Sequence, residues 1–554
     1  MSAGQIISLS LISHTNVGKT SLARTLLGRD IGVVRDEAHV TEVAEAHTLV
    51  ETSVGDRLIL WDTPGFGDSA RLARRLAAAG EPIGWFVTQV WDRLRDRALW
   101  ASQQAVRNVR EQADVVLYLV NAAEPAGQAP YIDDEMRILD WIGKPVIVLL
   151  NQLGAPRTGD ADSAELAQWR NRLAHAHTVR AVLTLDAFAR CWVQEATLLR
   201  TIATALPARS AAAWQRLFAC WLERRRTVFD ESVDILARAL ARTATDREAV
   251  PEAGLVDRLR DATQLLVRDR KGDEPGTSAI RRRAMDALAR RLDEDLRAAT
   301  DRVIRLHDLD GRAQAVIFER LATHYHVDAG IPEGRAAMLG SIVTGAVAGL
   351  KADLATGGLS LGAGMLGGGL LGALGAFGLA RGYNLVRGTT SPAVRWSEEA
   401  LQASTVAVIL SYLAVAHYGR GRGDWVEAES PPHWRTLVQA TLERRHEDFR
   451  HVWSLRDGKD VHIDRHEDDG PAGFVDLLEA AGSRTQGNGV RTETSGAFVD
   501  ALRAALGAAL LDVLEQLYPD GVRDSGLLDE TADVRRRHRE LQPGESGRTH
   551  AGGI

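Results

Sequence analysis

The sequence predicts two architectures in series: an α/β domain built on a mostly parallel sheet with helices on both faces, followed by an all-α region. Three observations predict them. Short β-branched runs alternate with helical patterns through roughly the first two hundred residues, as in a parallel sheet flanked by helices. From Ala211 onward, apolar residues recur three and four apart almost without a break. The 554 residues also exceed the roughly 250 to 300 that one core can serve, so the chain divides.

The strands are expected at "QIISLSLI", "HTLVET", "RLILWDT", "DVVLYLVNA", "PVIVLLNQ" and "VRAVLTLDA". Several are unbroken apolar runs, which suits strands covered on both faces. Helices are expected over "AAAWQRLFACWLERRRTVFDESVDILARALART" and "SAIRRRAMDALARRLDEDLRAATDRVIRL", whose arginine-rich faces read as solvated surface, with the polar "DRKGDEPGTS" between them as a linker. Farther on, "STVAVILSYLAVAH" has only about a dozen apolar residues and reads as a buried core helix. The boundaries fall at 1–208 for the α/β domain, 209–330 for a first helical part, 331–390 for a glycine-rich hairpin, 391–519 for further helices, and 520–554 for a disordered tail.

Composition excludes some classes. A net charge of −7 gives no footprint for nucleic acid, and no specific nucleic-acid partner is expected. Two cysteines, Cys191 and Cys220, rule out a disulfide framework and read as buried small hydrophobes. The first apolar run, "IISLSLI", lacks a basic region before it and so does not read as a signal peptide.

The chemistry is concentrated in "SHTNVGKTSL", which begins at Ser13. It matches the phosphate-binding G-x-x-x-x-G-K-[ST] pattern, or P-loop, except that Ser13 stands at the first glycine. Backbone amides at the head of the following helix converge on phosphate oxygens, and those of Val17, Gly18, Lys19, Thr20 and Ser21 are the candidates. Gly18 allows close approach, Lys19 neutralises the β- and γ-phosphates, and the Thr20 hydroxyl ligates Mg2+. Serine at the turn is expected to cost on the order of 1 kcal/mol without removing the site. In "WDTPG", a match to the switch motif D-x-x-G, Asp62 would hold Mg2+ through a water and the Gly65 amide would meet the γ-phosphate. Thr41 is the candidate for the threonine that binds Mg2+ and reports loss of the γ-phosphate, with Thr48 the alternative.

With "NVGKTS" followed by "DTPG", residues 1 to about 205 resemble the GTPases of the TrmE, Era and EngA group. The resemblance implies an α/β P-loop G domain, a Mg2+-dependent GTP hydrolase with Lys19, Thr41 and Gly65 in the catalytic machinery, and loops that switch between triphosphate and diphosphate states. It also implies a role for Asn16, which stands where that group can coordinate K+; bracing of the loop is the other reading. Two departures matter. Phe66 follows D-x-x-G where Ras-like enzymes orient water with glutamine, so hydrolysis is expected to be slow. The base-reading N-K-x-D motif is "NQLG" here, leaving Asn151 and Gln152 as base contacts and Gly154 in place of the aspartate, so adenine and guanine both stay open. Asp186 either compensates or caps the next helix.

Ten glycines fall in the uncharged run 354–380, and each costs a helix about 1 kcal/mol relative to alanine. Spacings such as Gly345 to Gly349 and Gly364 to Gly368 let two backbones pack closely, so a helical hairpin turning at Lys351 to Asp353 is expected. Its second arm is long enough to cross a bilayer and its first is short, which leaves a membrane-inserted hairpin and a soluble close-packed one as alternatives. The chain from "LDAFARCWVQE" onward is similar to the domain of unknown function DUF3482 that some bacterial GTPases of this group carry. The expected partners are GTP and GDP, a membrane or membrane protein, and a second copy of the chain in a homodimer; the expected place is the cytoplasmic face of the plasma membrane. A scaffold that remodels membranes around a weak, base-indifferent NTPase is the alternative. The cluster of His462, Asp464, His466 and Asp469 reads as a solvated turn, and His324 with His326 as local surface.

Overall fold

The computed structural model describes residues 4–29, 31, 44–78, 97–152, 161–185, 191–249, 277–309, 383–387, 392–418, 433–457, 489–491 and 496–526. They form two compact units, one made from residues 1–228, 416–428 and 510–554 and the other from 229–415 and 429–509.

The first unit is built on six strands: β1 (Ile6–Ser13), β2 (Glu45–Glu51), β3 (Arg57–Asp62), β4 (Val115–Asn121), β5 (Val146–Asn151) and β6 (Val179–Thr184). They lie in the order β2-β3-β1-β4-β5-β6, parallel except for β2 against β3. Every residue of β5 is buried, as are nearly all of β1 and β4, which is why these strands read as unbroken apolar runs. The edge strand β2 carries "EAHTLVE" and is mostly open to solvent. Among the described residues, the helices that accompany the sheet are α1 (Lys19–Leu27), α2 (Ser69–Ala77), α3 (Arg97–Gln112), α4 (Tyr131–Ile142), α5 (Ala161–Leu173) and α6 (Trp192–Ala205). β1 leads to β3 on one side and has β4 on the other, so the chain reverses direction beside it. In open α/β sheets ligands bind at the carboxyl ends of the strands beside such a reversal, and here that edge carries Ser13 and Asp62.

The long helix α7 (Ala211–Thr245) starts in the first unit and ends in the second. In the first unit Arg216 donates to Asp56 at 2.6 Å, and Asp56 also accepts from the Gln5 amide at 2.9 Å, pinning the turn between β2 and β3. Arg216 holds the Asp56 carboxyl below the usual range.

The second unit contains α8 (Thr277–Leu306), α9 (Glu398–Ala416), α10 (His433–Arg444), α11 (His446–Ser454) and α12 (Gly496–Leu517), with the ends of α9 and α12 assigned to the first unit. It also holds a small antiparallel sheet that helical periodicity does not show: β7 (Asp246–Ala249), β8 (Tyr383–Arg387), β9 (Pro392–Trp396) and β10 (Gly489–Arg491), in the order β10-β7-β9-β8. β7 reads "DREA"; Asp246 and Glu248, two apart and therefore on one face, both accept from Arg291 of α8 at 2.8 Å. Helix α9 is long and apolar enough to cross a membrane by length and composition, yet 78% of its most apolar window is buried, as a core helix requires.

Two expectations need correction. Residues from Pro519 to Ser525 form α13 instead of opening a tail, and Val522 is fully buried. Cys191 is buried, but Cys220 is only partly so, its thiol 3.6 Å from the Glu51 carbonyl. The glycine-rich run with its flanking residues through 382, Thr41, Gly154, Asp186, His324, His326 and the cluster from His462 to Asp469 lie outside the described residues.

Candidate nucleotide site

The loop between β1 and α1 is shaped by two left-handed residues, Asn16 at φ 64° and Gly18 at φ 94°. Gly18 precedes the first helical residue, and a Cβ there would come 2.8 Å from the Asn151 Nδ2, so conformation and space both demand glycine. α1 carries no side-chain cap, and the positive end of its dipole at this head favours an anion. Val17 is buried, and its carbonyl accepts from Asn151 Nδ2 at 2.7 Å, which ties the end of β5 to the loop. Ser21 is buried in the first turn, while Asn16 is exposed.

Ser13 does not carry the backbone cost expected of it. It is the last residue of β1 and is not among the residues at positive φ. Its hydroxyl accepts from the Lys19 ammonium at 2.9 Å and bonds the His14 carbonyl, which in turn accepts from Lys19 at 3.2 Å. Serine at the first glycine position thus anchors the lysine. The ammonium is buried, and burial lowers its pKa from 10.5 to about 8, against the opposing pull of Asp62 and Glu135. An anion with several charges placed in the loop would favour the protonated lysine.

Beside it, the Thr20 hydroxyl donates to Asp62 Oδ2 at 2.7 Å. Asp62 Oδ1 is buried with no hydrogen-bond partner, and burial pushes the carboxyl up to about 6 despite Thr20 and Lys19. A hydroxyl and a carboxylate oxygen aimed together, one lone pair unsatisfied, are a donor set that fits Mg2+. Among the described residues no group of three or more His, Cys, Asp or Glu residues gathers.

Gly65 closes the site from the other side. A Cβ on it would lie 2.9 Å from the Lys19 Nζ and 3.1 Å from the Thr15 backbone, so the D-x-x-G segment touches the loop only because it has glycine there. Phe66 is fully buried in the core beside α2 and α4, with its amide donating to the Ser13 carbonyl at 2.9 Å. Its side chain is therefore enclosed by apolar neighbours. On the base side, Asn151 is buried and Gln152 sits at φ 60° at the end of β5.

The motifs gave no hint of two further participants, His14 and Glu135. His14 Nδ1 lies 2.8 Å from Glu135 Oε1, and Glu135 is fully buried in α4. The available signal was periodicity: Glu135 stands on the same helical face as Ile132 and Met136.

Residues 8–152 match the family described as "50S ribosome-binding GTPase", and this part of the chain is a P-loop GTPase domain. Over 174 residues the chain is 28% identical to the GTPase Der of Mycobacterium tuberculosis, covering 31% of each, and over 154 residues it is 28% identical to the GTPase Der of Deinococcus deserti, covering 27% of each. It thus spans about a third of the length of these curated relatives. Among solved structures it is similar to an Era variant of Aquifex aeolicus bound to GDP and AlF4−, at 20% identity and a TM-score of 0.26, covering 37% of this chain and 57% of that one. A bacterial selenocysteine-specific elongation factor matches at 15% identity and a TM-score of 0.24, over 36% of this chain and 28% of that one. Residues 170–467, more than half of the chain, match the domain of unknown function DUF3482. The chain is therefore a member of the DUF3482 family, with a P-loop GTPase domain ahead of its family domain.

Proposed function

We propose that the protein binds GTP with Mg2+, hydrolyses it slowly to GDP and phosphate, and uses the two nucleotide states as a switch. One observation carries this reading: Lys19, the Thr20–Asp62 pair and Gly65 converge at the uncapped head of α1. Loop amides and Lys19 would hold the β- and γ-phosphates, and Thr20 and Asp62 would hold the metal, whose chemistry is to offset charge on the phosphate oxygens. Gly65 would present its amide to the γ-phosphate, with Thr41 completing the metal site. Slow turnover follows from Phe66, which is packed into the core and orients no water.

In this reading Asn16, left-handed and exposed on the loop, contributes to a K+ site, and Asn151 and Gln152 contribute to the base pocket. The loss of the acidic base reader at Gly154 supports weak discrimination between guanine and adenine. Association of the glycine-rich segment with a membrane, control of it by the nucleotide, a homodimer, and a place at the cytoplasmic face of the plasma membrane belong to the same reading, supported by the small-residue spacing of that segment.

The test is calorimetric titration with GTP, GDP and ATP in Mg2+, followed by hydrolysis rates in K+ and in Na+. Lys19→Ala should lower nucleotide affinity at least a hundredfold while the variant melts near the wild type. Wild-type protein that takes up no nucleotide would overturn the proposal.

A further inference from the structure

The carboxylate of Glu135 is fully buried and gathers donors from three separate elements of the first unit. His14 of the phosphate loop meets its Oε1 at 2.8 Å; Ser69, the first residue of α2, bonds the same oxygen through its hydroxyl; Tyr118 of β4 donates to Oε2 at 2.6 Å. The His14 ring also stacks on Tyr131, one turn before Glu135 on α4, at 4.3 Å between centroids. Burial and the carboxylate raise the Tyr118 pKa well above 10, so its hydroxyl stays a donor. A buried charge is tolerated only when hydrogen bonds replace its water, so these donors are held where the carboxylate needs them.

Two of the three elements that meet at Glu135 are those that, in the nucleotide reading, a γ-phosphate would bring together. His14 belongs to the loop that would cradle the phosphates. Ser69 stands four residues after Gly65, at the point where the D-x-x-G segment becomes helix. The backbone already joins the segments, with the Phe66 amide on the Ser13 carbonyl and a bridge between His14 and Phe66. Glu135 adds a side-chain tie at the head of α2, and its charge also favours the protonated form of Lys19.

We infer that Glu135 is a positioning residue for the γ-phosphate state: by holding His14 and Ser69 on one oxygen, it sets the D-x-x-G segment against the phosphate loop and so favours triphosphate over diphosphate. This rests on the nucleotide reading above and adds to it the residue that couples the loop to α2. A diphosphate makes no demand on Gly65, so its affinity should be nearly independent of the tie.

The experiment compares affinities for GDP and for a non-hydrolysable GTP analogue, in Mg2+, in full-length wild type, Glu135→Gln, Ser69→Ala and the double variant, with melting curves for each. In Glu135→Gln the preference for the analogue over GDP should fall about tenfold, with GDP affinity within twofold of wild type and kcat reduced at saturating GTP. Ser69→Ala should show the same selective loss, and the double variant little more than either single one, because both remove one tie. Equal losses for both nucleotides would mark a merely structural role and overturn the inference; unchanged preference or additive losses would do the same. If Glu135→Gln does not fold, Ser69→Ala alone decides, and a wild-type preference in it overturns the inference. Wild-type protein that binds neither nucleotide would instead refute the nucleotide reading, before any variant is measured.

Discussion

Replacing Asp62 with asparagine should make the protein more stable at pH 8 and indifferent to Mg2+. Burial raises the carboxyl from 3.8 to about 6, so folding disfavours the ionised form. The stabilisation from the protonated carboxyl is fully present below 3.8, declines as the pH rises through about 6, and is gone at pH 8. A rise from 3.8 to about 6 corresponds to roughly 3 kcal/mol at pH 8. Part of this is offset, because the buried Lys19 ammonium is favoured by that same carboxylate and would lose it. A net gain of about 1–2 kcal/mol remains, or roughly 3–6 °C in melting temperature for a unit of this size. The assay is thermal melting in EDTA at pH 8 and at pH 3.5, below the unfolded-state value. The variant should exceed the wild type at the higher pH and match it at the lower. With Mg2+ and GTP the order should invert, since a bound cation satisfies the Asp62 oxygen that has no partner. An asparagine variant less stable than wild type in EDTA at pH 8, or one whose nucleotide affinity still rises with Mg2+, would refute the reasoning.

Three further substitutions probe the same geometry. Gly65→Ala, whose Cβ would press on Lys19 and Thr15, should keep GDP binding but reduce hydrolysis at least tenfold, read by phosphate release. Phe66→Gln should not accelerate hydrolysis, because the side chain faces the core; it should instead lower stability by about 3 kcal/mol, measured by urea unfolding. Gly521→Ala would put a Cβ 2.6 Å from the Val193 carbonyl oxygen, and since that oxygen belongs to helical backbone that cannot swing aside, the change should loosen α13 at a cost of about 1–3 kcal/mol, visible as faster hydrogen exchange there.

Much of the first unit was legible because its signals are local. All six strands stand where the β-branched runs place them, and Lys19, Thr20, Asp62 and Gly65 meet because each motif ends a strand at the same sheet edge. The small second sheet was illegible for the opposite reason: "DREA" has no apolar alternation, and the strand exists through pairing and Arg291. Glu135 was missed because its partners are remote in sequence, His14 being 121 residues away. Ser13 was read as a strained stand-in for glycine because sequence shows the lost flexibility and hides the hydroxyl's bond to Lys19.

Helix α13 packs against α6, whose Arg200 donates to the Asp524 carbonyl at 3.0 Å, while Arg226 of α7 donates to that of Ser525 at 2.9 Å. The first unit is therefore discontinuous along the chain. During synthesis the ribosome makes the phosphate loop first, yet the shell of that unit stays open until some five hundred further residues have emerged. A fragment cut at residue 208 would expose the face of α6 that α13 covers, and would be expected to aggregate; grafting residues 510–526 back through a linker is the direct way to obtain the nucleotide domain by itself.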